Sequence, residues 1–268
     1  HLTGDLQALA CPILLEPLAA TGHDVVVLLQ APGALLMPWL PQTKAVANLF
    51  LAGEETGTAW ARVLFGDVNP EGKLPIMIPE TALDAIRPNE APQFSYHEGL
   101  FTSYRNPSIR AAFPFGHGLS YTTFAYGTPS TVEGAACAAA ACARLTVTNS
   151  GGRPGAEVVQ AYLEFEDAGN TPQRLLRGFR KTRLLQPGES EETLFNFTWR
   201  DLSIFAVGQG WVPQERVRVH FGASSADIRQ VLQLRGGAAP ALSSVARPLS
   251  ANSGWEEAEA EQASDAGA

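Results

Sequence analysis

Few side chains in this sequence have both the type and the setting that catalysis needs. Glu98, in "SYHEGLF" (95–101), is the most suggestive carboxylate, because Tyr96 and His97 flank it and Arg105 follows. Two readings of this loop stand side by side. In one, Glu98 and Tyr96 bind substrate; in the other, Glu98 is a loop carboxylate satisfied by Arg105 or by backbone N–H groups. Histidine is the side-chain type that most readily serves as acid or base near neutrality, which makes His97 and His117 candidates, yet neither has a nucleophile beside it in a recognisable motif. His117 lies in "AAFPFGHGLSYTTFAYG" (111–127), flanked by glycines and aromatics, and reads as a hydrogen-bonded junction residue. Glu54 and Glu55 stand where a helix N-terminus favours acids, and Asp67 in "GDVNPEG" reads as a turn residue. No two acids have a spacing or setting that marks them as a catalytic pair. No Ser-His-Asp signature, P-loop or G-x-G-x-x-G after a strand is present, and nothing calls for a cofactor or a metal.

Composition bounds the remaining possibilities. The 268 residues are 45% hydrophobic and 17% charged, enough for a packed core and on a length prior enough for two domains. A formal net charge of -8 argues against nucleic acid as the main partner. Much of that charge is local, since residues 255–266 hold five acids and no base. Cys11, Cys137 and Cys142 have no metal-ligand spacing. Buried or idle thiols are expected, with a Cys137–Cys142 bridge as the alternative. No apolar run approaches the ~20 residues of a membrane span. The first residue is His and no leader pattern follows it, so the sequence reads as a fragment whose compartment its start does not reveal.

The elements that must position these residues fall into two textures. "HDVVVLLQ" (23–30) and "AVANLFLA" (45–52) are continuous apolar runs, expected as parallel strands buried on both faces. "GEETGTAWARVLFG" (53–66) reads as a helix with acids before it, Gly66 at its end, and Ala59, Trp60, Val63 and Leu64 on an apolar face. "KLPIMIP" (73–79) is a further short strand candidate. Residues 128–143 are small and featureless, as in a linker. From Arg144 the period becomes two: Leu145 and Val147 alternate with threonines, and Val217, Val219 and Phe221 alternate with Arg218 and His220. Turn signals at 149–155, 186–190 and 207–210 divide about 90 residues into short strands, which suggests an antiparallel β-sandwich. Its aromatics Phe195, Phe197, Trp199, Trp211 and Phe221 read as core before they read as a glycan surface. Asn196 opens the glycosylation sequon "NFT". After Gly236 periodicity is lost, and residues 236–268 are expected to be a disordered acidic tail.

"VVVLLQ…MPWL", "GEETGTAWARVLFGDVNPEGKLPIMIPE", "YHEGLFTSYR" and "FPFGHGLSYTTF" occur in an order that resembles the second, α/β-sandwich domain of glycoside hydrolase family 3. "LTVTNSGGRPGAEVVQAYL", "LRGFRKTRLLQPGES", "RDLSIFAV" and "VRVHFGASSADIR" resemble that family's fibronectin type III-like domain. The resemblance covers residues 1–234 and implies part of an α/β domain over 1–127, a linker over 128–143 and an all-β sandwich over 144–235. It implies a retaining β-glycosidase, most like a β-glucosidase and alternatively a β-xylosidase, acting on oligosaccharides or β-glycosides without a cofactor. A secreted location is favoured by the resemblance alone. In the family the nucleophilic aspartate lies on a preceding barrel, absent here, and the acid/base glutamate lies just before a segment that "LTGDLQAL" (2–9) resembles. Both carboxylates are therefore expected upstream of residue 1, and the chain alone is expected to be inactive. A non-catalytic carbohydrate-binding or scaffold protein is the alternative from another class. Departures from the family pattern in "QAPGALL", "GEETGTA" and "YRNPSIR" fall in loops, and fit either altered specificity or relaxed catalytic demand.

Overall fold

The computed structural model of the protein describes residues 17, 18, 20–86, 95–166, 169 and 171–235. Segment 2–9 and the acidic tail lie outside them. In the first part, β1 (Val26–Leu29) pairs in parallel with β2 (Ala45–Asn48), Val26 opposite Ala45. Leu29, Ala31, Met37, Trp39 and Ile78 form a core, in which Trp39 is 2% exposed. The indole of "MPWL" thus plugs the space under the parallel pair. Strand alternation sends Val27 and Leu29 toward that core and Val26 and Leu28 to the opposite face. There Val26 is 46% and Leu28 36% exposed, so the expectation of burial on both faces is corrected: no described element covers the second face.

Helix α1 (Thr56–Leu64) forms where expected. The Thr56 hydroxyl donates to the Gly53 carbonyl, and Gly66 takes a left-handed φ of 79° just past the helix end. Glu55 occupies the N-cap without a side-chain hydrogen bond, so its favourable contact is with the helix dipole. No α1 residue is buried, and Leu64 is 45% exposed, so the anticipated apolar face is only half covered. The strand expected at 73–79 shrinks to β3 (Ile78–Pro79), which pairs antiparallel with β4 (Ala111–Phe113). Pro75 and Pro79 supply no N–H, which limits the ladder this segment can build.

The second part is a sandwich. In one sheet β7 (Ala141–Asn149) is central and pairs antiparallel with β5 (Phe124–Tyr126), β6 (Ser130–Val132) and β10 (Ser190–Phe197). The other sheet runs β14–β13–β8–β9, from β8 (Val158–Phe165), β9 (Leu175–Lys181), β13 (Arg216–Gly222) and β14 (Ile228–Arg235). A separate hairpin joins β11 (Ser203–Ala206) to β12 (Gly210–Pro213). Leu145, Val147, Val159, Leu163, Phe195, Phe197, Val217, Val219 and Phe221 fill the space between the sheets, each 2% exposed or less. The period-two pattern therefore reads directly as inward and outward faces.

Two expectations for 128–143 are corrected. The stretch carries β6, and the chain has already joined the sandwich at β5, because short polar strands gain their stability from pairing with β7. Cys137 and Cys142 form a disulfide instead of remaining thiols. The turn between β6 and β7 brings their Cα atoms to 5.6 Å, well within bridging distance.

The "FGHG" turn holds the parts together. Gly116 has φ 80°, and a Cβ there would lie 2.0 Å from Gln160 Oε1 on β8. A Cβ on Gly118 would lie 2.1 Å from the Gly72 carbonyl oxygen. Gly116→Ala is expected to lower stability by about 2 kcal/mol or more, from left-handed strain plus overlap with Gln160. Gly57→Ala, in open space on α1, should instead raise it by about 0.5–1 kcal/mol. Chemical denaturation of the two variants checks both signs.

Candidate functional site

The junction is built around Gln160, a polar residue 3% exposed within an apolar strand. Its amide nitrogen donates to the carbonyls of Gly116 (3.0 Å) and Ala223 (2.8 Å), while its oxygen accepts from the Tyr162 hydroxyl (2.5 Å). Main-chain bonds extend the seam: Gly116 N–H to Leu74 O, Leu74 N–H to His117 O and Ser225 N–H to Phe115 O, at 2.8–2.9 Å. Tyr104 stacks on Phe115 with centroids 4.6 Å apart and meets Tyr162 edge-on at 5.8 Å. Burial raises the Tyr162 hydroxyl pKa above its ordinary value.

His117 lines a cleft of about 410 Å³ together with Lys73, Glu157, Ser224, Asp227 and Arg229. Burial pushes the imidazole pKa below its ordinary value, the Lys73 ammonium pushes it the same way, and Asp227 opposes both. Glu157, 4% exposed, lies 2.9 Å from Lys73 Nζ and 3.9 Å from Arg229, and accepts the Val158 N–H. The Arg229 guanidinium bonds Asp227 at 2.8 Å and holds that carboxyl below the usual range. Glu71, from the "NPEG" turn, accepts the Ala156 N–H and pairs with Lys181 at 2.8 Å. A general acid needs its pKa raised toward the working pH. Here each carboxylate is neutralised by a cation, so the cleft is an electrostatic clamp between the two parts.

The structure places the other candidates apart from this clamp. Tyr96 is 72% exposed and Glu98 half-buried on the loop 95–100, and neither lines the cleft. The Glu98 carbonyl accepts the Phe101 N–H, and the Arg105 guanidinium donates to the Thr102 hydroxyl in its own turn. Glu54, Glu55, Asp67 and His97 are exposed. In the 67–72 turn Asn69 joins Glu71 in bonding outside the turn, accepting from Tyr121 N–H (2.7 Å) and Ser120 Oγ (3.1 Å). Asn196 is exposed on β10. Among the described residues no three His, Cys, Asp or Glu side chains are grouped as a metal site, and no helix is long and apolar enough to cross a membrane. Lys73, Glu157, Gln160, Asp227 and Arg229 escaped the sequence reading. A signal existed for two of them: Glu157 and Gln160 interrupt the apolar run "AEVVQAYL", where a polar residue must find a buried partner.

An α/β part sealed by glycines and a buried amide against a fibronectin-like sandwich defines the class of protein, and comparison with known proteins agrees. Residues 5–121 match the glycosyl hydrolase family 3 C-terminal domain, and residues 157–225 match the fibronectin type III-like domain. The chain belongs to glycosyl hydrolase family 3 and carries these two of its domains. It is 36% identical over 230 residues to a beta-glucosidase of Rhizobium radiobacter, covering 81% of this chain and 28% of that protein. It is 37% identical over 246 residues to beta-glucosidase cel3A of Pyricularia oryzae, covering 81% and 33%. The beta-D-glucoside glucohydrolase structure from Trichoderma reesei superposes with a TM-score of 0.80 at 33% identity, covering 87% of this chain and 36% of that one. Beta-glucosidase 3B of Thermotoga neapolitana in complex with alpha-D-glucose gives 0.79 at 32%, covering 88% and 35%. The chain thus spans about a third of the length of these relatives, 28% to 36%.

Two outcomes follow from the clamp. Lys73→Met leaves Glu157 buried with its 2.9 Å partner gone and should cost about 3–5 kcal/mol, part of it recovered by adding Glu157→Gln; urea denaturation reads both. His117 has a folded pKa below its unfolded value of about 6.5, so the unfolded chain binds more protons just below that pH. Stability therefore falls as pH drops from about 6.5 toward the folded pKa. His220, also lowered by burial despite its bond to Glu164, acts in the same direction. His117→Asn should flatten the fall in Tm between pH 7 and pH 5, leaving the share due to His220.

Proposed function

We propose that the protein to which this chain contributes is a retaining β-glucosidase that releases terminal β-linked glucose from oligosaccharides or glycosides. The observation that carries this reading is a match at 36–37% identity over 81% of the chain, through both domains, to proteins named beta-glucosidase. Retention requires two carboxyl groups about 5–5.5 Å apart, one a nucleophile and the other a proton donor that later serves as base. Glu157 and Asp227 are tied to cations, and a carboxyl held low, as Asp227 is, makes a poor proton donor. The nucleophile and the acid/base group are therefore proposed to come from sequence preceding this chain. This chain's own share is structural support plus the loop 95–100. There Tyr96 offers an aromatic surface to a sugar ring and Glu98 offers a carboxylate to sugar hydroxyls.

The test has two arms. The 268-residue chain is incubated with an aryl β-glucoside, and no turnover above background is expected. In a protein that also carries the preceding domain, Glu98→Gln should reduce kcat/KM about tenfold or more, the scale of one charge-assisted hydrogen bond. Turnover by the chain alone that Glu98→Gln abolishes would place the catalytic carboxylate here and overturn the proposed division of labour.

A further inference from the structure

A second concavity, distinct from the clamp and from the 95–100 loop, lies where the Tyr104–Arg105 turn meets the sandwich. It measures about 220 Å³ and is lined by Tyr104, Arg105, Pro107, Gln173, Arg174 and Ser225. Arg105 and Arg174 both line this space, and among the described residues no Asp or Glu does. The acids on the adjoining strands are already committed. Glu164 pairs with His220 at 2.5 Å and with Arg218 at 3.3 Å, and Glu166 pairs with Arg218 at 2.9 Å and Arg216 at 4.0 Å. Among the described residues neither Arg105 nor Arg174 has an acidic partner. Two positive charges thus share one small pocket in a chain whose formal net charge is -8.

The two arginines are also held in place before any ligand arrives. Arg174 Nη1 donates to the Ser225 carbonyl at 3.1 Å, and Arg105 donates to the Thr102 hydroxyl. Each has further N–H groups left for a ligand, since a guanidinium carries five. Tyr104 is clamped by its stacking on Phe115, and its hydroxyl oxygen accepts the Leu176 N–H at 3.1 Å, which leaves its own proton to donate. Ser103, just before this pair, holds φ 52°, in the left-handed region that a non-glycine residue seldom adopts. Such strain persists where surrounding contacts enforce it, and it clusters at ligand sites. Fixed guanidinium forks match the oxygens of a carboxylate or phosphate, and ordering them beforehand removes part of the entropic cost of binding.

We propose that the Arg105–Arg174 pocket binds a small oxyanion, a phosphate or carboxylate group, either free or as a substituent on a sugar. The volume suits such a group with little more than one ring attached. The experiment titrates the 268-residue chain, at constant ionic strength, with inorganic phosphate, glucose 6-phosphate, glucuronate and glucose, following Tm and heat of binding. A saturable rise in Tm with phosphate is expected, and Arg105→Gln and Arg174→Gln should each weaken it at least tenfold, with Arg174→Lys weakening it less. Tighter binding of glucose 6-phosphate than of either phosphate or glucose assigns the anion to a sugar; binding equal to that of phosphate assigns it to the free ion. Arg174→Gln removes the bond to Ser225 as well, so its unliganded Tm is measured first. Among the described residues Arg105 bonds only within its own turn, so Arg105→Gln keeps the test decisive if Arg174→Gln unfolds. No saturable shift with any anion, or a shift that the double Arg→Gln variant leaves intact, overturns the proposal.

Discussion

A side-chain amide buried without partners costs free energy on the scale of a whole small domain's margin, and Gln160 is almost completely buried. Its two donor bonds reach Gly116 in one part of the molecule and Ala223 in the other, and its oxygen takes the Tyr162 proton. The position of the "FGHG" turn follows from this. Gly116 must lack a Cβ because Gln160 occupies the space, and Gly118 must lack one because the Gly72 carbonyl does. Tyr104 can then stack on Phe115, and the main-chain bonds of Leu74, Gly116, His117 and Ser225 close around it. The aromatic, glycine-rich stretch around His117 is thus shaped by a packing constraint.

Charge finishes what the amide begins. Lys73 and Glu71 come from the turn after α1, while Glu157, Lys181, Asp227 and Arg229 come from the sandwich. Ion pairs formed across a seam out of bulk water depend on every member finding a partner. The same seam holds a pocket at Arg105 and Arg174, where among the described residues no acidic partner is supplied. The junction thus holds both a neutralised cluster and, among the described residues, a pair of arginines without an acid.

The sandwich was legible because burial there follows the two-residue period so closely: Leu145, Val147, Val217, Val219 and Phe221 all point inward. The α/β part was legible as elements and less so as layers. Apolar runs at 23–30 and 45–52 announced parallel strands, but periodicity says nothing of whether a neighbouring element covers each face. Val26, Leu28 and Leu64 remain partly exposed for that reason. The Cys137–Cys142 bridge depended on β6 folding back along β7, a pairing that the small, featureless residues of 130–143 do not signal. At the candidate site, Glu98 and Tyr96 were noticed for their motif, whereas Lys73, Asp227 and Arg229 acquire meaning only through contacts between distant segments. Such long-range partners leave no local pattern.

That bridge ties the molecule to the chemistry of its surroundings. A glutathione-rich compartment keeps most protein thiols reduced, whereas an oxidising one lets such a link form and last. Cys142 sits inside the sandwich sheet, 1% exposed, paired with Val132 on one side and Asn196 on the other. Without the bond, only strand pairing would hold the short connection from 133 to 140 against the sheet. The order of that edge thereby depends on whether the surroundings keep Cys137 and Cys142 oxidised.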